Sequence, residues 1–558
     1  MKQGRSAPAR TGLSGFLDAD GLKRAIAPVA AFVASFALIG LASLSGWWLL
    51  GLAVTLPVLA LGVFDALQTG NTLTRNYPFA ARIRWLFYDL RPYLRAYIVE
   101  GDLEGKPFSF DARNLVTARS LGRIDTQPFG TDLDPAAGSF KWLTHSIAPA
   151  ENPDPSPRVA IGGPQCARPY SASVLNISAM SFGALSANAI SALNKGAKLG
   201  GFYHDTGEGG VSPYHLQGGD LVWEIGSGYF GCRDAEGRFD EGLFREMASR
   251  DIVKMIEIKL SQGAKPGHGG LLPGPKVSKE IAEIRKVPVG KDCLSPRGHS
   301  AFSSPLEMLA FAARMRELSG GKPVGIKLCV GQHHEVMAIA KAMLKSEIYL
   351  DFIVVDGAEG GTGAAPMELS DNVGAPLTEG LIVVRNALVG TGLRDKVRIG
   401  ASGKVYSGFA LAKNFAIGAD WCNAARPFMF SIGCIQAKRC HLGTCPSGVA
   451  TQDPGRQRGL VVDVKAERAA RFHRQTLLAL ADIVAAAGLT HPTDLAPHHL
   501  VHRLGATGSC PIDRVYNFVA ANALLDAPED TIYADAWKAA DPESFLPRID
   551  IVEERAEG

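Results

Sequence analysis

The chain has 558 residues, 46% hydrophobic and 20% charged, with a formal net charge of +3. Charge so thinly spread lacks the basic footprint of a nucleic-acid binder, so no nucleic-acid partner is expected. Nine cysteines, an odd number with three clustered, suit a reducing compartment better than a disulfide framework.

In chain order, residues 1–24 form a basic tail containing Lys2, Arg5, Arg10, Lys23 and Arg24. From Ala25 to Phe64 no side chain is charged. Two apolar arms of 20 and 21 residues flank Ser45 and Gly46. Each arm is about long enough to cross a hydrocarbon core of ~30 Å at about 1.5 Å per residue. A two-helix transmembrane hairpin over 25–67 is the expectation. Arg75, Arg82 and Arg84 follow it, so both basic flanks face the cytoplasm of a two-pass inner-membrane protein, with Trp47 and Trp48 at the far interface. A cleaved signal peptide and a buried soluble hairpin are the alternatives.

Residues 68–160 read as a membrane-proximal and linker segment. Within it, RIRWLFYDLRPYLRAYI suits an amphipathic helix on a membrane surface or an ordinary packing helix. From 161 to 430 the pattern changes to short apolar runs, each followed by Gly-rich residues and then a helical stretch. The runs cover 174–183, 201–210, 221–231, 255–267, 324–331, 352–363, 397–405 and 419–427. Eight strands alternating with helices predict an α/β fold, a (β/α)8 TIM barrel with reactive residues at the C-terminal strand ends. A doubly wound open sheet is the alternative, and it lacks a GxGxxG after its first strand.

The strand ends carry the chemistry. Gly403, Ser407 and Gly408 precede a helix, and Ala424 and Ala425 follow the eighth strand. Small residues before a helix N-terminus suit a phosphate, here that of a flavin nucleotide, FMN. Lys259, Gln262 and Lys265, with Arg285 downstream, make the fourth strand end the most polar. Alternation sets Lys259 and Glu257 on one face, and Lys259 needs a charge partner: an anionic substrate, a reduced flavin, or else Glu257 or Asp356. Lys327 is directed toward the flavin's N1/O2 edge, and Glu208 is the candidate catalytic carboxylate.

In 431–455, Cys434, Cys440 and Cys445 lie on one short loop followed by Pro446. Three close thiolates point to an iron–sulfur cluster. Zinc with His441 as fourth ligand, or three unrelated thiols, remain alternatives. Residues 456–558 are expected to form a helical extension.

NISAMSFGALS, DTGEGG, KLSQGAKPGHGGLLPGPKV, GAEGGTGAAP, GLRDKVRI and GCIQAKRCHLGTCPSGVATQDP together resemble the FMN-binding synthase domain of glutamate synthase. The resemblance implies a TIM barrel holding FMN, with Cys434, Cys440 and Cys445 ligating a [3Fe–4S] cluster. It implies that Gln262, Lys265 and Arg285 hold 2-oxoglutarate. Met180, Ser181, Lys327 and the 403–408 turn become flavin contacts, joined by Thr206 and Gly361 of their motifs. The implied reaction condenses ammonia with 2-oxoglutarate and reduces 2-iminoglutarate to L-glutamate. The sequence departs from the family in three ways. No glutaminase half precedes the barrel, so ammonia comes free or from a separate glutaminase subunit. The family's C-terminal β-helix is missing, and His268 stands where the family usually has Glu. A stand-alone, membrane-anchored synthase domain is therefore expected. No NAD(P) fingerprint is present, so a ferredoxin or a partner flavoprotein is the expected electron donor. Rival readings are an N-substituted glutamate made from another amine, a membrane-tethered electron-transfer module, and a flavin-dependent isomerase.

Overall fold

The computed structural model describes residues 25–548, so the basic tail 1–24 and residues 549–558 lie outside the described residues. The chain divides into two compact units, residues 1–110 and 111–558. This boundary differs from the expected one. The stretch 72–99 groups with the apolar hairpin, whereas 111–160 groups with the barrel.

In the first unit, helix Ile26–Leu41 packs against helix Leu52–Leu67. A 3-10 segment, Gly46–Gly51, lengthens the second arm to 22 residues. Only that arm reaches membrane-crossing length; the first has 16 residues, about 24 Å at ~1.5 Å per residue. The chain turns at 42–44, earlier than expected, with Ser45 already extended. Ser35 fixes the pairing by hydrogen-bonding Ala31 O at 2.7 Å and Thr55 Oγ1 at 2.8 Å.

The second unit is built on eight parallel strands: β1 (Leu175–Ile177), β2 (His204–Asp205), β3 (Leu221–Ile225), β4 (Val253–Lys259), β5 (Val324–Leu328), β6 (Phe352–Asp356), β7 (Arg398–Ser402) and β8 (Trp421–Ala424). They close in sequence order, β8 pairing with β1, which makes a barrel and excludes the open sheet. Seven strands fall within a predicted run, and β4 begins at Val253, two residues before the run 255–267. Runs such as FIVVD are almost wholly buried because helices cover the barrel outside and side chains fill its inside. Helices after β1, β3 and β7 start where Ser186, Asp240 and Ser407 cap the first free N–H groups.

A β-hairpin, Arg158–Ile161 with Tyr170–Ser173, closes the N-terminal end. Its Val159, Ile161 and Ala172 pack with Tyr203, Phe352 and Trp421 of the barrel floor. The opposite end therefore carries the loops. Residues 456–548 are less helical than expected. Helix Val462–Ala486 packs on helix Ala187–Gly200, but Leu500–Arg503 and Ser509–Pro511 form a hairpin that pairs with Lys141–Leu143.

Candidate active site

At the C-terminal end of the barrel, Glu208 from the loop after β2 meets Lys259, the last residue of β4, at 2.9 Å. Lys259 was expected to pair with substrate, flavin, Glu257 or Asp356. Strand stagger brings Glu208 instead. Gly270 makes room for the carboxylate, since a Cβ there would lie 1.9 Å from Glu208 Oε1. Burial alone would raise the Glu208 carboxyl; Lys259, aided by Arg285 and Lys265, outweighs it and holds the group down to about 2. A small cleft adjoins the pair, bordered by Gln262, His268 and Arg297.

Lys265 and Arg285 are 3% and 4% exposed and carry no carboxylate of their own. Lys265 Nζ donates to Ala364 O at 3.0 Å, and Arg285 Nη2 donates to Phe182 O at 3.0 Å. Burial lowers Lys265 and Glu208 opposes that. The Arg285 guanidinium lies over the Phe230 ring, and its Nε has no partner. Gln262 is placed by its neighbour Gly263, whose N–H donates to Asp356 Oδ2 at 2.8 Å. Gly263 has to be glycine, because a Cβ would stand 1.8 Å from Gly357 O. Four of the five expected catalytic side chains, Glu208, Lys259, Lys265 and Arg285, thus interact electrostatically, and Gln262 joins Glu208 and Lys259 on the cleft wall.

One layer deeper, Asp205, Glu224 and Glu257 converge with carboxylate oxygens within 4.8 Å of one another. Lys327 lies among them, bonded to Glu224 and 3.1 Å from Glu257. Its ammonium is thus paired with carboxylates inside the barrel. Burial, and next Asp205, push Glu257 well above the usual carboxylate range; burial also raises Asp205, although Lys327 opposes it. The two acids hydrogen-bond each other, which fits one shared proton. Sequence reading missed Asp205 and Glu224.

The expected cofactor residues follow the ends of β1, β2, β6, β7 and β8, and Met180 and Ser181 lie against Gly207, next to Glu208. Met180 and Ser181 follow β1, and Ala424 O accepts from Ser178 N at 3.1 Å. The Thr206 hydroxyl bonds Gly207 O and Glu224 N, both at 3.1 Å, so its part is to brace β2 and β3. Ser407 caps its helix through Ala410 N. Gly408 faces helix Val462–Ala486, where a Cβ would lie 2.8 Å from the Ala479 carbonyl carbon, so its small size serves packing. Gly403, at φ +152°, forms the turn itself. Sequence reading missed Arg426, beside Ala425. Its guanidinium donates to Glu359 O at 2.6 Å and lies 2.8 Å from where a Gly361 Cβ would stand. A guanidinium beside bare backbone, between the ends of β6 and β8, fits a phosphate. The donor set therefore fits a phosphorylated flavin.

The cysteine loop docks on the loop after β1. Gln452 Nε2 donates to Gly183 O and Leu185 O at 3.1 and 3.0 Å, and Ser186 N donates to Val449 O at 2.9 Å. Cys434 and Cys440 are half-buried and Cys445 is buried. Burial, with a smaller contribution from the other two thiols, raises Cys434 to about 12. Burial also raises Cys445, but the Ser447 hydroxyl and the backbone of Ala450, Ser447 and Val449 outweigh it and lower the thiol. Lys276, buried, donates to Ala184 O at 3.1 Å and Cys440 O at 3.3 Å. Three mutually interacting thiols with a buried cation and converging donors fit an anionic iron–sulfur centre. His441, the zinc alternative's fourth ligand, is exposed.

Residues 160–490 match the family model for the conserved region in glutamate synthase. The glutamate synthase large subunit-like protein YerD of Bacillus subtilis (strain 168) is 37% identical over 501 residues, 82% of this chain and 94% of that protein. An archaeal-type glutamate synthase (NADPH) of Thermotoga neapolitana is 35% identical over 317 residues, covering 56% of this chain and 58% of that relative. The chain thus spans little more than half of the archaeal-type enzyme's length. Among solved structures, flavocytochrome b2 with sulfite bound aligns over 69% of this chain and 84% of that one, at 15% identity and a TM-score of 0.40. The chain belongs to the glutamate synthase family, as a glutamate synthase-like oxidoreductase built on a (β/α)8 barrel.

Proposed function

We propose that the chain converts 2-oxoglutarate to L-glutamate by reductive amination, using FMN at the barrel mouth and a [3Fe–4S] cluster held by Cys434, Cys440 and Cys445. One observation carries the reading. Lys259, Lys265 and Arg285 act on a single ionised carboxylate, Glu208; Lys265 otherwise donates to Ala364 O, and Arg285 to Phe182 O and the Cys293 thiol, with no further carboxylate on either. These three cations against one anion, with Arg297 also on the cleft wall, leave an excess of positive charge that suits a dicarboxylate substrate.

Lys265 and Arg285 hold the two substrate carboxylates, and Gln262 orients the keto group at the cleft wall. Glu208 accepts a hydrogen bond that orients the attacking ammonia and Lys259 Nζ donates one to the keto oxygen; loss of that oxygen as water yields 2-iminoglutarate. FMN, when bound, supplies the hydride that reduces the imine, and the cluster supplies single electrons. Arg426, Gly361 and the 403–408 turn would hold the flavin phosphate; Met180 and Ser181 would border the ring. Apolar arm Gly46–Leu67, paired with Ile26–Leu41, supports a membrane tether with the barrel on the cytoplasmic side. A ferredoxin or partner flavoprotein supplies electrons, and free ammonia or a glutaminase subunit supplies nitrogen.

A second reading, an N-substituted glutamate formed from another amine, is favoured by His268 at the cleft edge, its Nδ1 2.8 Å from Gly269 O. One experiment tests both. The photoreduced holoprotein is mixed anaerobically with 2-oxoglutarate and either ammonia or methylamine, and flavin absorbance is followed. Faster reoxidation with ammonia supports glutamate synthesis, and faster reoxidation with methylamine supports the second reading. Reoxidation indifferent to every combination would leave an electron-transfer module.

A further inference from the structure

Beyond the apolar hairpin, the first unit holds a helix whose surface is unlike that of a soluble protein. In helix Ala80–Leu94 only Ala81 is buried, and the π-helical turn Arg95–Val99 continues it. Leu86, Phe87, Tyr88, Ile98 and Val99 are all more than half exposed. The position of this helix relative to the hairpin is fixed. Asp65, in the last turn of helix Leu52–Leu67, is 1% exposed on its side chain and accepts from Arg82 Nη2 at 2.6 Å, Arg82 Nε at 2.8 Å and Phe79 N at 3.0 Å. Trp85 Nε1 donates to Thr74 Oγ1 at 3.1 Å. The helix therefore begins level with the end of the apolar arm, where headgroups lie if that arm crosses a bilayer.

An open groove runs along it, bordered by Arg84, Phe87, Tyr88, Arg91, Leu94 and Arg95. Positions 84, 91 and 95 share one helical face. Arg95 pairs with Glu100 at 2.7 Å, whereas Arg84 and Arg91 have no ion-pair partner among the described residues. Glu104 at the rim bonds Gly101 N at 3.3 Å.

We propose that this groove binds the phosphate of an anionic phospholipid headgroup, with Arg84 and Arg91 on the phosphate and Phe87 and Leu94 along the acyl chains. The inference rests on the membrane reading of the hairpin. Two free guanidiniums beside exposed aromatic and aliphatic side chains match a ligand that is anionic at one end and apolar at the other. A second copy of the chain fits less well, because a two-fold contact through this face would set the same unpaired arginines against each other.

The test uses the full chain in vesicles of equimolar phosphatidylglycerol and phosphatidylcholine, with spin-labelled lipids reporting the relative association of each headgroup. Wild type should prefer phosphatidylglycerol. The double variant Arg84→Gln, Arg91→Gln should lose about fivefold of that preference per arginine, with flavin and iron content unchanged. Inorganic phosphate should compete poorly, since it lacks acyl chains. Equal preference in wild type and variant, or phosphate competing as well as lipid, would overturn the inference. So would cross-linking that shows the groove covered by a second copy. Release of wild type by alkaline carbonate would instead refute the membrane reading, which separates the two failures.

Discussion

Two ionic layers lie within a few residues of each other in this barrel, and they differ in kind. In the outer layer Glu208 and Lys259 border a cleft, and neighbouring cations keep the carboxylate ionised. In the inner layer Asp205, Glu224 and Glu257 surround Lys327, all buried, and protonation relieves the excess of acid. β4, and β2 with the loop after it, contribute to both layers, and β3 and β5 add Glu224 and Lys327 to the inner one. The contrast shows that environment more than residue type decides which acid is available for chemistry.

Removing the inner cation should have the largest effect. Lys327→Met strands three buried carboxylates, and breaking a buried pair costs about 3–5 kcal/mol. Urea unfolding measures it; a loss below ~1 kcal/mol would mean that the inner layer is not an ion-paired unit. Glu208→Gln comes next and acts on both activity and stability. Its folded value of about 2, against an ordinary 4.5, corresponds to about 3 kcal/mol. This contribution is present above the unfolded value and fades as pH falls from 4.5 toward 2. The wild-type–variant stability gap should therefore close in acid, while turnover at neutral pH falls by about 10²-fold or more. A gap that stays constant with pH would mean that Glu208 is not held ionised by its neighbours.

Arg426→Lys sharpens the mouth's description without touching the acids. Losing a charge-assisted bond worth about 1.5–3 kcal/mol should weaken FMN retention by about 10- to 100-fold. Equilibrium dialysis of the reconstituted apoprotein measures it. Unchanged retention would move the phosphate site elsewhere.

The barrel was legible in the sequence because each strand is a short apolar run ending in glycine or a polar residue, a local signal. The cysteine loop stood out because its three thiols are neighbours in sequence. The pairing of charges was not. Glu257 and Lys259 share a face of β4, which made them look like partners, yet strand stagger puts them in different layers with Lys327 and Glu208 respectively. Stagger depends on closure of the whole barrel, and no local pattern carries it. Arg426 was overlooked because ARPF reads as a helix start, which it also is. The C-terminal hairpin escaped because its partner strand, Lys141–Leu143, lies more than three hundred residues earlier.

The smallest expected effect is the sharpest test of the two layers. Glu257→Gln is the same isosteric change as Glu208→Gln, made one layer deeper. Burial, then Asp205, raises the folded value of Glu257, so its stabilising contribution is full below the unfolded value near 4.5 and is lost as pH rises toward the folded one. Burial and Asp205 favour the protonated form of Glu257 in the native protein, and a glutamine amide can donate to Asp205 in its place. The variant should unfold within about 1 kcal/mol of wild type at pH 7, or slightly later. Its advantage should shrink as pH falls toward 4.5, the reverse of the Glu208→Gln trend. Two identical substitutions with opposite pH slopes would establish that the barrel keeps one acid ionised at its mouth and another protonated beneath it. Parallel slopes would collapse the distinction, because Glu257 would then be ionised and the inner layer would need a further cation to balance it.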